Sequence, residues 1–321
     1  MKLLLLIFCL TISSCLSDDN ICPSNEDIKP CSCSIGVDNR PSISCEGLES
    51  VDDLKKAMKG MQDFKFSNFY IEKSNIGILP SDIFSDIEVR FMNILFTNLT
   101  SLSESLNMPA FLGLESTLEY LQIRDAFITE ETPLIRISLS HLKKLQFLQL
   151  EGNVMPTIGN DWFESGPYRL RQLYLMDTYT KKVGSHAFSS LSELRRFSLT
   201  GGSVSEIVRD MFPSQATYLE TLDFSNNKIS VLPKDIFSRM PSLNEVFLDN
   251  NDFTTIDEVA FAQVWGQLSH AYFYGNPLNC NTDMKWIYKY RLPESLQGYC
   301  ATPPSLRYRY LSNLTLTDFL N

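Results

Sequence analysis

Apolar residues recur along most of the chain in one fixed spacing. Each apolar start is followed by apolar residues three and five positions later, and then by a small or amide residue at the ninth position. Residues two apart in a strand share one face, so every start predicts a short strand with one buried face. The spacing begins at intervals of 23 to 29 residues, at Phe66, Val89, Leu118, Leu145, Leu170, Leu194, Leu219, Leu243 and Leu268.

The interval and the pattern LxxLxLxxNxL are those of leucine-rich repeats, whose units bury their apolar faces only by stacking. An Asn at the ninth position can satisfy backbone groups where the chain turns inward. The nine ninth-position residues are Ser74, Thr97, Ala126, Asn153, Thr178, Gly202, Asn227, Asn251 and Asn276. We therefore predict an α/β-type repeat solenoid, a leucine-rich repeat horseshoe with a parallel sheet on its concave face.

Aromatic residues also recur eighteen residues after the strand starts. This spacing predicts a buried spine on the convex side, and a cofactor pocket lined by the same rings is the alternative that we disfavour. Two long repeats place Phe111 and Leu139 in the equivalent position after insertions in the convex connections. The regular members of the spine are Phe84, Phe163, Phe188, Phe212, Phe237 and Phe261.

The N-terminus has the pattern of a secretory signal peptide, with one lysine, an apolar run and small residues before an acidic pair. We predict a signal peptide over residues 1–17, although residues 12–15 can also be read as a bacterial lipobox. Six cysteines remain after it, four early and two late, which is typical of exported chains with small local cores. A zinc site is the disfavoured alternative, because the chain has no CxxC and only three histidines.

The two cysteine-rich ends resemble the flanks of extracellular leucine-rich repeat proteins. The N-terminal order of cysteines is C, CxC, C, and a helix is predicted after it from Ser50 and Asp53. The C-terminal flank has an NP, a helix carrying Trp286 and a final Asp-Phe, but Thr282 stands where the family has another cysteine. The resemblance implies disulfide-bonded caps paired as Cys22–Cys33, Cys31–Cys45 and Cys280–Cys300.

We accordingly divide the chain into an N-terminal cap over residues 18–65, repeats with nine strand positions over residues 66–276, and a C-terminal cap over residues 277–321. More narrowly, the N-terminal flank and the overall length resemble the arthropod family of the oplophorus-luciferin 2-monooxygenase non-catalytic subunit. That resemblance implies a repeat protein that accompanies a separate small enzyme.

Candidate chemistry is sparse in the sequence. The motifs GxSxG, HExxH and GxGxxG and the Walker loop do not occur. The stretch 249–252 fits a solvated turn better than a calcium site, and His270 is expected on the surface rather than as a base. We predict no catalytic residues, no metal and no cofactor, and therefore no enzyme. The net charge of −10 disfavours a nucleic-acid partner, and no apolar run is long enough for membrane insertion.

Aromatic residues gather at the outward positions of the early strands, and arginines follow beside them. The third and fifth positions of each strand face the concave side, where exposed aromatics beside arginines are typical of binding hot spots. The alternative is that aromatics are there because they suit strands. The candidate partner-binding residues are Phe91, Tyr120, Phe147, Tyr174, Arg124, Arg171 and Arg196.

The sequence therefore predicts a secreted, extracellular glycoprotein that binds a protein partner through its concave face. Two narrower interpretations stay open, an accessory subunit of a small secreted oxidative enzyme and a matrix or cell-surface adhesion protein. N-glycans are predicted on the two acceptor sequences, at Asn98 and Asn313.

Overall fold

A computed structural model describes residues 21–36, 39–105, 108–134 and 136–319. The predicted signal peptide lies outside the described residues. The strands in chain order are β1 (Ser32–Ile35), β2 (Pro41–Glu46), β3 (Lys65–Glu72), β4 (Asn75–Ile78), β5 (Glu88–Leu95), β6 (Asn98–Ser101), β7 (Tyr120–Arg124), β8 (Phe147–Glu151), β9 (Thr157–Ile158), β10 (Gln172–Met176), β11 (Lys182–Val183), β12 (Arg196–Thr200), β13 (Thr221–Asp223), β14 (Glu245–Phe247), β15 (His270–Tyr272) and β16 (Ser295–Gln297).

Helices are short and lie mainly toward the two ends of the chain. The α-helices are α1 (Val51–Lys59) and α2 (Glu258–Trp265). The 3₁₀ helices are Arg209–Met211, Thr282–Lys289, Leu311–Asn313 and Leu316–Phe319. The predicted C-terminal helix that carries Trp286 is therefore a 3₁₀ helix, in which the indole Nε1 donates to the carbonyl of Ile256 at 2.8 Å.

One large sheet runs through the solenoid and is parallel from β2 to β16. In the described part of the chain it has twelve strands, in the order β1-β2-β3-β5-β7-β8-β10-β12-β13-β14-β15-β16. All nine predicted repeat positions carry a strand, so the leucine-rich repeat solenoid is confirmed. Their third-position residues form one aligned row across the sheet, Asn68, Phe91, Tyr120, Phe147, Gln172, Arg196, Thr221, Glu245 and His270.

The caps extend this sheet, which the repeat pattern did not predict. Strand β2 pairs with β3 so that Ile43 and Cys45 take the places of the fourth- and sixth-position leucines. At the other end β16 pairs with β15 and puts Leu296 beside Ala271. The spacing of Ile43 and Cys45 repeats that of the leucines, so continuing the count into the flanks is the signal that could have found these strands.

The convex side is filled by the predicted aromatic spine. Its members are all at most 3% exposed, including Phe111 from the first long repeat. Neighbouring rings contact one another: Phe84 and Phe111 stack with centroids 6.0 Å apart, and Phe237 and Phe261 are 5.0 Å apart. Burying each ring contributes about 2–3 kcal/mol. The spine is therefore a structural core, and the insertions before Phe111 leave its stacking intact.

The ninth-position asparagines join each repeat to the one before it. The Asn251 amide donates to the Phe224 carbonyl at 2.9 Å, and its oxygen accepts from the Ile229 N–H at 3.0 Å. Asn153, Asn227 and Asn276 bridge the preceding repeat in the same way. In an earlier repeat, the Thr97 hydroxyl makes part of the same connection by donating to the carbonyls of Ile71 and Leu95.

The eighth position of every repeat has a left-handed backbone. An ordinary side chain in this conformation costs about 1–2 kcal/mol, and Gly, Asn and Asp tolerate it best. Most repeats use those three residue types, but Lys73 and Phe96 do not. The nine residues and their φ angles are Lys73 47°, Phe96 50°, Asp125 48°, Gly152 65°, Asp177 51°, Gly201 66°, Asn226 58°, Asn250 52° and Gly275 73°.

Both caps are held by disulfides. The structure bonds Cys22 to Cys33, Cys31 to Cys45 and Cys280 to Cys300, with Cα atoms 5.8, 4.1 and 5.6 Å apart, which is the pairing that the family resemblance implies. Helix α1 begins with a capping box between Ser50 and Asp53 and covers the N-terminal end of the core with Leu54 and Ala57.

Candidate partner-binding surface

Four aromatic side chains form a continuous stack on the concave face, called here the aromatic ladder: Phe91, Tyr120, Phe147 and Tyr174. Adjacent strands in register bring the first three side by side, and Tyr174 follows from the fifth position of the next strand. The ring centroids of Tyr120 and Phe147 are 4.1 Å apart with nearly parallel planes. The flanking pairs are 5.9 Å and 5.4 Å apart.

The four ladder residues are half-buried, whereas their outward positions in the sequence pattern predicted exposed rings. Each ring covers part of its neighbour, and this mutual cover is the physical reason for the difference. The hydroxyl groups are held as well: Tyr120 donates to Gln122 at 3.3 Å and Tyr174 donates to Gln172 at 3.0 Å. Burial raises the pKa of the Tyr120 phenol, with Tyr70 and Glu151 adding to the effect. The ladder therefore presents ordered, uncharged ring surface.

The predicted arginines do not form one group beside the ladder. Arg124 ends strand β7 and contacts Glu151 and Asp125, each at 3.3 Å. Arg171 directly precedes β10, so it lies at the opposite end of the strands from Arg124, and it is 3.5 Å from Glu193. Arg196 is exposed and continues the third-position row beyond Gln172. The ladder is thus bordered by arginines on both edges, and Arg124 and Arg171 already have carboxylate partners.

Arg90 is a further arginine beside the ladder that the sequence pattern did not single out. Its guanidinium lies 4.9 Å from the centroid of the Phe91 ring, and it also forms an ion pair with Glu119 at 2.9 Å. Arg90 occupies the second position of its repeat, as Arg171 does, so the same register count could have identified it.

The C-terminal half of the concave face is acidic and has a smaller aromatic pair. Phe247 and Tyr272 meet edge to face at 4.9 Å. Burial raises the pKa of the nearby Asp249 carboxyl, and the charge of Asp223 acts in the same direction. His270 lies 3.7 Å from Glu245 and bonds the hydroxyl of its own neighbour Ser269. This half therefore offers a mostly negative surface.

The other candidate sites from the sequence are a calcium-like stretch and two glycan acceptors. Asn251, part of the stretch weighed as a calcium site, is buried and bonded to the backbone. Among the residues that the structure describes, no group of three or more His, Cys, Asp or Glu side chains could hold a metal ion. Both predicted glycan acceptors, Asn98 and Asn313, are exposed.

A second surface, which the sequence pattern did not predict, lies just beyond the C-terminal ends of the early strands. Here Phe96 and Ile128 are 51% and 59% exposed, more than any residue of the ladder. Phe96 and Ile128 line a groove of about 580 Å³ that also contains Asn98. The signal was an aromatic residue at the eighth position, where most other repeats have Gly, Asn or Asp.

Comparisons with known proteins agree with this architecture. The profile of the family described as "BspA type Leucine rich repeat region (6 copies)" matches residues 156–282. The chain is 24% identical over 235 residues to Toll-like receptor 3 of Boselaphus tragocamelus, which covers 70% of this chain and 25% of the receptor. It is 32% identical over 100 residues to leucine-rich repeat and fibronectin type-III domain-containing protein 4 of Rattus norvegicus, covering 29% and 15%.

A third relative matches along most of both chains. The Oplophorus-luciferin 2-monooxygenase non-catalytic subunit of Oplophorus gracilirostris is 24% identical over 327 residues, which covers 91% of this chain and 86% of that subunit. The matches to the first two relatives span a quarter or less of those proteins. No helix in the described ranges is long and apolar enough to cross a membrane. The protein is a leucine-rich repeat solenoid with disulfide-bonded caps, and it resembles the non-catalytic subunit family over most of its length.

Proposed function

We propose that this chain is a secreted protein that binds an extracellular protein partner through the aromatic ladder and that has no catalytic activity of its own. The observation that carries the proposal is the continuity of the ladder. Four rings in contact on a solvent-facing sheet make an apolar stripe bordered by arginines, which is the composition of binding hot spots. Secretion is supported by the signal-like N-terminus and by the disulfide-bonded caps.

The experiment compares the two aromatic groups of the concave face. The partner is first co-purified with the chain from the native secretion and identified by mass spectrometry. Calorimetry then measures its affinity for Tyr120→Ala and for Phe247→Ala. Both substitutions remove a half-buried ring that contacts another ring, so Phe247→Ala is a matched control.

We expect Tyr120→Ala to cost about 2 kcal/mol of binding, roughly a 30-fold loss of affinity, and Phe247→Ala to change it little. The reverse result would place the site in the acidic half. It would mean that the ladder residues are aromatic only because aromatic residues suit strands.

A second candidate function is accessory subunit of an extracellular oxidative enzyme. The match along 91% of this chain to a protein named as a non-catalytic subunit favours it. A stoichiometric small enzyme in the co-purified material would support this role. A matrix component or receptor in its place would support an adhesion role, and turnover by the isolated chain would overturn all three.

A further inference from the structure

The groove at the strand-end edge contains both a glycan acceptor and an exposed aromatic ring. Asn98 begins the sequence Asn-Leu-Thr, and its side chain lines the groove together with Phe96 and Ile128. Thr97 and Leu99 are fully buried on either side of Asn98, which fixes the backbone there. Phe96 and Asn98 therefore face solvent on the same side of the chain, two residues apart.

Phe96 is not placed there by packing. The residue is 51% exposed and its backbone is left-handed, a combination that neither core burial nor backbone preference explains. The Arg124 guanidinium lies 5.4 Å from the ring centroid and steadies the side chain. A bulky residue kept in an unfavourable conformation at the surface points to a contact that the bare polypeptide does not make.

The chemistry of the acceptor identifies that contact. Asn98 Nδ2 donates to Asn75 Oδ1 at 2.9 Å, and attachment of a sugar replaces only one of the two N–H groups. The other N–H can keep this bond, which holds the amide in place. The first N-acetylglucosamine has a face of C–H groups, and the negative face of an aromatic ring attracts such groups while both surfaces leave water.

We propose that the first sugar attached to Asn98 packs on the ring of Phe96, so that the groove is the seat of the chain's own N-glycan. The proposal rests on passage through the secretory pathway, which is part of the proposed function. Asn313, the other acceptor, has Leu311 two residues before it and serves as the internal control for that passage.

The test measures thermal stability with and without the sugar. The full chain is produced in insect cells, and an endoglycosidase trims each glycan to a single N-acetylglucosamine. Thr100→Val removes the Asn98 acceptor and keeps a β-branched residue in strand β6, whereas Thr100→Ser retains the acceptor. Phe96→Asn removes the ring and supplies a residue that tolerates the left-handed backbone, as Asn226 and Asn250 do in later repeats. Phe96→Tyr retains the ring.

We expect the chain with one sugar on Asn98 to melt about 3 °C above Thr100→Val. The same comparison in the Phe96→Asn background should give no difference, and Phe96→Tyr should restore it. If the sugar raises the melting temperature of Phe96→Asn by the same amount, the proposal is overturned. A glycan on Asn313 with none on Asn98 would also overturn it, and so would an effect of Phe96→Asn on partner affinity with no sugar-dependent rise. If the chain is recovered from the culture medium with no glycan on either asparagine, this inference fails and the proposed secretion stands. If the chain does not reach the medium, the proposed secretion fails.

Discussion

Replacing Asn251 with Ala tests how the repeats are joined. Its amide makes hydrogen bonds to the carbonyls of Phe224, Leu248 and Asp249 and accepts from the Ile229 N–H, and the residue is 4% exposed. The three carbonyls each have another donor, from Asn227, Asn276 and Asn226. The Ile229 N–H is the group that loses its partner.

The cost follows from this inventory. A buried N–H left without an acceptor costs about 1–3 kcal/mol, and the other lost bonds add about 1 kcal/mol in total because their carbonyls stay satisfied. We therefore expect about 3 kcal/mol of destabilisation, or a melting temperature lower by roughly 6 °C. Calorimetry and far-UV circular dichroism on the disulfide-intact protein would measure it.

Asn244→Ala is the matched control. Asn244 is an exposed asparagine of the same repeat, and within the described residues its side chain makes no hydrogen bond. Its replacement should change stability by less than about 0.5 kcal/mol. If the two variants melt together, the ninth-position amides do not hold the repeats, and the hydrogen-bond argument is wrong.

Three further predictions concern the backbone, a partly buried histidine and the caps. Gly201→Ala should destabilise by about 2 kcal/mol in urea unfolding, because φ is 66° and the new Cβ would meet Asp177, including its Cα at 2.7 Å; Gly266→Ala, in open space at φ −71°, should be neutral or slightly stabilising. Burial lowers the pKa of His141, and Glu115 offsets only part of this. The contribution of neutral His141 to stability is thus present above its ordinary pKa near 6.5 and is lost as the pH falls below that value. With His141→Gln, the melting temperature should therefore depend less on pH between 7 and 5. Non-reducing peptide mapping should find the three bridges and no free thiol at Cys22, Cys31, Cys33, Cys45, Cys280 or Cys300.

The repeat register was predictable because leucine spacing alone sets it. Every predicted start leads into a strand, and even the insertion before Phe111 was assigned to the correct side. The cap strands were missed because Cys45 was interpreted only as a disulfide partner. In the structure Cys45 also occupies a core position of the sheet and is fully buried. The sequence around Cys45 therefore fits a disulfide partner and a core strand position equally well, and finding one role did not reveal the other.

The surface was less predictable, because exposure depends on neighbours that spacing does not describe. The row of aromatics followed from register, but the 4.1 Å contact that half-buries Tyr120 and Phe147 depends on the side-chain conformations of both residues. Arg124 and Arg171 were grouped with the ladder although they occupy the seventh and second positions, at opposite edges of the sheet. Counting positions would have separated these two arginines, whereas their carboxylate partners required the structure.

The departures from ideal repeats and the candidate surfaces occur in the same half of the molecule. The three repeats before Asn153 have no asparagine at the ninth position. Thr97, for example, only donates to carbonyls through its hydroxyl, whereas an asparagine amide would also accept a hydrogen bond from a backbone N–H. Each ring contact of the ladder adds about 0.5–1.5 kcal/mol beyond burial, so the ladder offsets part of this loss from the solvent side. Its rings are consequently ordered before any partner arrives. Ordering a free side chain on binding costs about 0.5–1.5 kcal/mol, and a partner that docks on the ladder avoids most of that cost. The same contacts that stabilise the less regular repeats therefore make this stripe of the concave face the better preorganised binding surface.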